Sequence, residues 1–282
     1  MVYFKLFRIK HLIKNGLIFF PLIFSLSLFN LSALFYVSVG FIGFSFLTSC
    51  VYVLNDLKDK QEDEKHPTKK YRPIACGKIS PTQAHIFIVL LFLGANVLIS
   101  GLAIMLNNFW IFAFFLLYFL NNLLYTYRLK QFPILDVFSI AIGFLLRVMF
   151  GAAIANVSVS PFLYLTVLAF AVYLGYGKRK GEYKNQHRRQ VLNKYPIAFL
   201  EKSMTNCLSL TLVFYVLWAL ELGDNYLILK LTVPIILFIL MRYNLVIEEN
   251  SEADPIEVIY QDRPLLFSSG SYLFLLLFLL YF

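Results

Sequence analysis

The sequence predicts an all-α polytopic membrane protein with about nine transmembrane helices, forming one integral domain over residues 1–282. Three observations predict it. Hydrophobic residues make up 60% of the chain and the mean hydropathy is +0.72, well above the balance of a soluble domain. Charged residues amount to 15% and cluster between long apolar runs. Those runs are about 17–25 residues long, the length a helix needs to cross a hydrocarbon core. With no water there to bond the backbone, each run must be helical.

Nine runs read as spans: 16–30, 33–54, 82–106, 109–126, 134–154, 161–177, 204–222, 226–242 and 265–282. Lys14-Asn15 leads into the first, which is short and breaks from the second at Asn30-Leu31-Ser32. Ser80-Pro81-Thr82-Gln83 supplies an N-cap, a proline at the first helical position and a capping-box Gln for the third span. Asn121 and Asn122 fall inside the fourth and need polar partners there. Arg147 lies deep in the fifth, where a charge costs at least ~2.5–3.5 kcal/mol on insertion scales. Asp136 returns to nearly the same helical face but roughly 16 Å along the axis, so the two are not partners and both should face the bundle interior. A structural salt bridge within the bundle is the competing reading. Ser160-Pro161 opens the sixth span as Ser80-Pro81 opens the third.

Basic residues orient the spans. The N-terminus, the 55–81 loop, residues 127–133, the 178–203 loop and the last connection carry 23 of the 25 Lys and Arg residues, all on alternate connections. This side should be cytoplasmic, with the N-terminus inside and the C-terminus outside, in a plasma membrane. Topology therefore accounts for much of the +9 charge, and no nucleic-acid partner is needed. No cleavable signal peptide is expected. Cys50, Cys76 and Cys207 suggest neither a disulfide nor a metal site. His11, His66, His85 and His187 fall near span ends, so no histidine base is expected.

The stretch "VLNDLKDKQEDEKHPTKKYRPIACGKIS" (53–80) packs five acids and seven bases against an apolar helix. If the helix continues, Asn55, Asp59 and Asp63 fall at i, i+4 and i+8, with Asp56 three before Asp59, on one broad face outside the bundle core. Like charges so spaced repel, and a divalent cation removes that penalty. Hard oxygen ligands of this kind suit Mg²⁺, which takes one or two carboxylates plus substrate phosphates. Lys58, Lys60, Lys69, Lys70, Arg72 and Lys78 exceed what the acids require and could hold phosphate oxygens. Acids for a metal beside bases for phosphate describe a diphosphate site; a solvated charged face is the plainer alternative.

These residues resemble a family. N-D-x-x-D-x-x-x-D at the end of the second span is similar to the first aspartate-rich motif of the UbiA prenyltransferase superfamily. "DEKHPTKKYRPIACG", "RIKHLIKNGLIFFPL", "YTYRLKQFPILDVFSIAIGFLLRVMFGAA", "GKRKGEY" and "DPIEVIYQDRPL" resemble, in order, its polyprenyl-phosphate phosphoribosyltransferase branch. The resemblance implies a UbiA-like helical bundle around a central cavity, with Mg²⁺ on Asn55, Asp56, Asp59 and Asp63. It implies catalytic roles for Asp56, Asp59 and Arg147, and substrate contacts from Lys14, Asn15, Lys58, Lys70, Arg72, Lys78, Tyr127, Lys130, Asp136, Lys178, Arg179 and Glu182.

The chain departs from aromatic prenyltransferases of that superfamily in one place. Where they carry a second acidic motif, it reads "YGKRKGEYKNQHRR", with Glu182 alone among six bases and able to pair with Lys178 four positions earlier. An anion site is expected there, although positive-inside bias alone could produce the bases. The reading that follows is transfer of 5-phosphoribose from phosphoribosyl diphosphate to a polyprenyl phosphate at the lipid bilayer, in cell-envelope biosynthesis. An aromatic prenyltransferase using a polyprenyl diphosphate, and a transporter or flippase of a phosphorylated lipid, remain open.

Overall fold

The computed structural model describes residues 2–183, 190–222, 229–249 and 254–281, and every regular element in them is helical. Among the described residues, eight helices are long and apolar enough to cross a membrane. After the short α1 (Val2–Leu6) and α2 (Phe20–Phe24), these are α3 (Leu31–Lys58), α5 (Pro81–Met105), α6 (Phe109–Tyr127), α7 (Leu135–Ala155), α8 (Pro161–Tyr183), α9 (Ile197–Glu221), α10 (Val233–Glu249, helical from Leu229) and α12 (Arg263–Tyr281). Two short helices, α4 (Lys60–Glu64) and α11 (Pro255–Gln261), complete the set.

The capped helix starts at Ser80 and Ser160 form where the sequence places them. Ser80 Oγ accepts from the Gln83 backbone at 3.2 Å while Gln83 Oε1 accepts from the Ser80 backbone at 3.0 Å, closing the capping box. Asn30 caps α3 through Ala33 N at 3.2 Å. Ser160 Oγ accepts from Leu163 N at 3.4 Å at the start of α8.

The ends differ from expectation. The first expected span is not one α-helix: Ile9–Phe19 is a 3₁₀ segment, followed by α2. Pro21, in the first turn of α2, has no N–H with which to extend an α-helical ladder backwards. α3 continues to Lys58, α8 to Tyr183 and α10 to Glu249, beyond the apolar runs, and α9 begins at Ile197 rather than 204. Hydropathy marks where the apolar surface stops; the backbone ladder continues past it, carried by charged residues that pair off helix by helix. The start of the eighth expected span, at 226, lies outside the described residues.

The chain divides into two compact units, one of residues 1–129 with 146–158, the other of 130–145 with 159–282. In the first unit, α3 packs along α5 and against the 3₁₀ segment over a core including Ile18, Leu22, Phe44, Leu47, Ile99, Phe115 and Phe150. A smaller cluster of Leu6, Val53, Ile74, Ile79 and Ala84 pins α1 and the 65–80 loop to the end of α3. Gly151 permits the closest approach: a Cβ there would sit 2.0 Å from the Ile18 carbonyl oxygen. In the second unit α8 packs along α9 around Tyr173, Tyr176, Met204, Leu240 and Tyr243. The outward faces of α5 and α6 expose large side chains such as Val97, Ile104, Phe109 and Trp110, as a lipid-facing surface requires.

Candidate active site

The acidic motif sits at the end of α3. Helix geometry persists to Lys58, Asp59 follows as the C-cap with its N–H on Asn55 O, and α4 resumes at once. Asn55, Asp56, Asp59 and Asp63 therefore stand on successive turns, as the spacing requires. They do not converge on one point. Asp56 and Asp63 are buried, at 2% and 4% exposure, and Arg72 Nη1 bridges them, 3.0 Å from Asp56 Oδ1 and 2.6 Å from Asp63 Oδ2. Arg8 Nη2 forms a second ion pair on Asp56 Oδ1. Asn55 Nδ2 donates to Asp59 Oδ2 at 3.2 Å, and Asn55 Oδ1 accepts from Thr126 Oγ1 at 3.4 Å.

Local sequence explains the bridge. Pro73 pushes Arg72 into extended backbone (φ −62°, ψ 143°), which ends the 3₁₀ turn Lys69–Tyr71. Buried Ile74 and Ile79 then hold the loop down beside α3. The expectation that these acids lie outside the core is corrected for Asp56 and Asp63. A carboxylate taken from water must be paired, and two guanidinium groups do this. Arg8 was missed in the sequence because it lies 48 positions from Asp56 and reads as a positive-inside residue.

Among the described residues no group of three His, Cys, Asp or Glu side chains forms a ready-made metal cluster. The donor chemistry nevertheless fits Mg²⁺ taken up with phosphate: all four side chains offer oxygen, and such an ion draws most of its ligands from substrate and water. Lys58, at the end of α3, and Lys70 and Lys78, in the 65–80 loop, are exposed, with Lys58 Nζ 5.4 Å over the exposed Tyr127 ring and Lys70 Nζ 5.2 Å over Tyr71. Lys130, half-buried, follows α6 on the 3₁₀ turn Leu129–Gln131.

A second polar cluster lies deeper in the first unit. Arg147, 4% exposed, donates from Nε to Asn15 Oδ1 and from Nη2 to the Tyr118 hydroxyl, each at 2.8 Å. Its guanidinium carbon is 4.8 Å from the Tyr118 ring centroid and 5.7 Å from that of Phe44. Fully buried Asn15 donates to Ser45 Oγ at 3.1 Å and accepts from Thr48 Oγ1 at 3.4 Å. Lys14 beside it is half-buried. Arg147 and Asp136 have separate partners, as their axial separation implies. Ser45, Thr48 and Tyr118 were missed; for the first two, polar side chains at i and i+3 in the apolar middle of α3 were the available signal. Asn122 meets its expected need locally, donating to Tyr118 O at 2.8 Å.

The second unit holds a buried ion network. Arg179 and Asp136, both 0% exposed, pair through Nε and Oδ2 at 2.6 Å, and Arg179 Nη1 reaches Glu182 Oε2 at 2.7 Å. The Tyr195 hydroxyl donates to Asp136 Oδ1 at 2.6 Å and accepts from Ile134 N, a residue with left-handed backbone (φ 71°). Burial first, then the bond to Asp136, push the Tyr195 phenol above its usual range, so it stays protonated and donates. Lys178 lies 3.6 Å from Asp254, and Lys180, 4% exposed, pairs with Glu248 and Glu201.

Two expectations are corrected here. Lys178, Arg179 and Lys180 are on the last turns of α8, not in a loop, and Arg179 is sequestered rather than presented to an anion. Glu182 pairs with Arg179, three positions back. The remaining bases of that stretch, Lys184, Arg188 and Arg189, and His187, lie outside the described residues.

A model of the UbiA prenyltransferase family matches residues 17–260. A decaprenyl-phosphate phosphoribosyltransferase of Mycolicibacterium smegmatis is 30% identical over 250 residues, covering 81% of this chain and 75% of its own. The enzyme of the same name from Corynebacterium glutamicum is 27% identical over 234 residues, covering 78% and 68%. Among solved structures, a UbiA homolog from Archaeoglobus fulgidus bound to GPP and Mg²⁺ superposes with a TM-score of 0.76 at 17% identity, covering 100% of this chain and 99% of its own.

Proposed function

The chain belongs to the UbiA prenyltransferase family, and on that premise we propose that it moves 5-phosphoribose from phosphoribosyl diphosphate to a polyprenyl phosphate, releasing diphosphate. One observation carries the reading: the likeness to decaprenyl-phosphate phosphoribosyltransferases runs through about four-fifths of the chain, 81% for the M. smegmatis enzyme. The chemistry of the first unit agrees with it, since carboxylates for a metal stand among cations for phosphate.

Asp56, Asp59 and Asp63, with Asn55, would hold Mg²⁺, which when bound offsets charge on the diphosphate as it leaves. Arg72, Lys58, Lys70 and Lys78 take the other diphosphate oxygens through charge-assisted bonds. Arg147, locked by Asn15, Tyr118 and the Phe44 ring, supplies a fixed positive charge to an anionic substrate group. In the reaction the ribose C1–O bond breaks with its electron pair going to diphosphate, and an oxygen of the lipid phosphate forms the new bond to C1. A phosphate monoester has a second pKa of about 6, so the nucleophile arrives ionised and needs no base. Arg179, Asp136 and Glu182 are read as a structural network rather than as substrate ligands. The positive-inside bias supports a cytoplasmic location for the acidic motif, at the plasma membrane.

Aromatic prenyl transfer is the second reading, favoured by a 4-hydroxybenzoate polyprenyltransferase of Caenorhabditis elegans that is 32% identical over 112 residues. Against it, the end of α8 offers one acid, Glu182, already engaged by Arg179. Diphosphate release by the purified protein separates the two. It should require phosphoribosyl diphosphate and polyprenyl phosphate together, and release from prenyl diphosphate with a hydroxybenzoate instead would overturn the proposal.

A further inference from the structure

The acids of the first motif are not open. Asp56 carries two guanidinium groups, from Arg8 and Arg72, and Arg72 also bridges to Asp63. Two positive charges thus stand against two buried negative ones. A divalent cation brought to these carboxylates would meet both arginines at close range, and like charges in a partly desolvated site repel by several kcal/mol at an effective dielectric near 20. Cation and arginines cannot share the same oxygens.

The arginines are placed to move. Their side chains are 18% and 24% exposed, against 2% and 5% for the acids they cover. Arg72 rides on the 65–80 loop. Arg8 lies between α1 and the 3₁₀ segment in left-handed backbone (φ 51°), a conformation a side-chain-bearing residue rarely adopts. The turn is held from both sides: Leu6 is buried against Val53 and Ile74, and Ser49 Oγ donates to Phe7 O at 3.2 Å. The Arg8 guanidinium carbon lies 4.9 Å from the Tyr52 ring centroid. The backbone is fixed, and the head group sits over Asp56 by choice of rotamer.

We propose that Arg8 acts with Arg72 as an exchange cation: it neutralises Asp56 and Asp63 while the site is empty, and turns to diphosphate oxygens when the metal loads onto the carboxylates. Charge then stays balanced in both states, and neither buried acid is ever left bare. A metal ion alone would be disfavoured, because it displaces the arginines without giving them an anion. Metal and diphosphate would bind together. The inference rests on the metal-diphosphate reading of this motif.

The test uses the full chain purified in nanodiscs, with Mn²⁺ as probe, its binding measured by electron paramagnetic resonance with and without inorganic diphosphate. Wild type should retain Mn²⁺ weakly alone and more tightly with diphosphate. Arg8→Gln and Arg72→Gln should each bind Mn²⁺ alone about tenfold more tightly, and Mn²⁺-diphosphate about tenfold less tightly, the loss of one charge-assisted contact. Arg8→Lys, which keeps the charge without the fork, should fall between. A structural ion pair cannot produce opposite signs. If both affinities fall together, or neither moves, in whichever of the three variants purify folded, the exchange role is wrong. If wild type retains no Mn²⁺ even with diphosphate, the metal-diphosphate reading itself falls.

Discussion

Arg179 offers a sharp test of how the second unit is held. Replacing it with Met keeps most of the apolar stem and deletes the guanidinium. Asp136, 0% exposed, then keeps only the Tyr195 hydroxyl for its charge, and Glu182 loses its bond at 2.7 Å. Removing one partner of a buried pair costs about 3–5 kcal/mol, because the other charge is left uncompensated. Glu182, with its side chain 16% exposed, retains contact with water and adds less. Adding Asp136→Asn in the same chain removes the orphan charge while leaving an oxygen for Tyr195, so it should recover more than half of the loss. The double-mutant cycle should give a coupling of about 2–3 kcal/mol. The assay is reversible denaturant unfolding in mixed micelles, followed by circular dichroism, for wild type, both single variants and the double. If Arg179→Met unfolds at the wild-type midpoint while its affinity for phosphoribosyl diphosphate drops, the guanidinium faces substrate and the buried network is wrong.

Asp59→Asn should abolish turnover and keep the fold, since Asp59 is half-buried and the amide keeps its shape and an oxygen for the Asn55 Nδ2 donor 3.2 Å away; EDTA should mimic it and Mg²⁺ reverse the chelator, with near-normal activity in chelator contradicting the metal role. Gly151→Ala should destabilise by about 1–3 kcal/mol, because the new methyl meets the Ile18 backbone oxygen and neither backbone yields easily; a neutral melting temperature would show that the 3₁₀ segment sits farther away. Asp262 is held below its usual carboxyl range by hydrogen bonding to Arg242, and it caps α12 through Leu265 N. A depressed folded value means stability that is present above the unfolded pKa, about 3.9, and lost as pH falls through the folded one. Wild type and Asp262→Asn should therefore differ in stability at neutral pH and converge in acid; a constant gap would refute the linkage.

The membrane class, the placement of the long spans and the capped helix starts at Ser80 and Ser160 were legible because each follows from local chemistry: apolar length, and caps such as Ser80 with Gln83. The N-D-x-x-D-x-x-x-D spacing was also readable, since a helix that continues past Leu54 must bring those residues onto successive turns. What the sequence hid was pairing at long range. Arg8 with Asp56, Asn15 with Arg147 and Asp136 with Arg179 lie 48, 132 and 43 positions apart, and no periodicity links them. The bases at the end of α8 misled for a related reason. A run of Lys and Arg after an apolar helix reads as a solvated loop, yet the helix continues and folds three of them against Asp136, Glu182, Glu201, Glu248 and Asp254. The first span failed at two places: Pro21 has no N–H to extend a ladder backwards, and α2 stops at Phe24, with Leu26 in left-handed backbone (φ 58°).

The central claim is that 5-phosphoribose is the group transferred. Phosphoribosyl diphosphate labelled with ³²P at the 5-phosphate, and separately at the terminal diphosphate position, tests it most directly with polyprenyl phosphate and the purified protein. The 5-phosphate label should pass into the organic phase with the lipid, Mg²⁺-dependently, while the terminal label stays in water as diphosphate in equal amount. Both labels remaining in water, or both entering the lipid phase, would contradict the account.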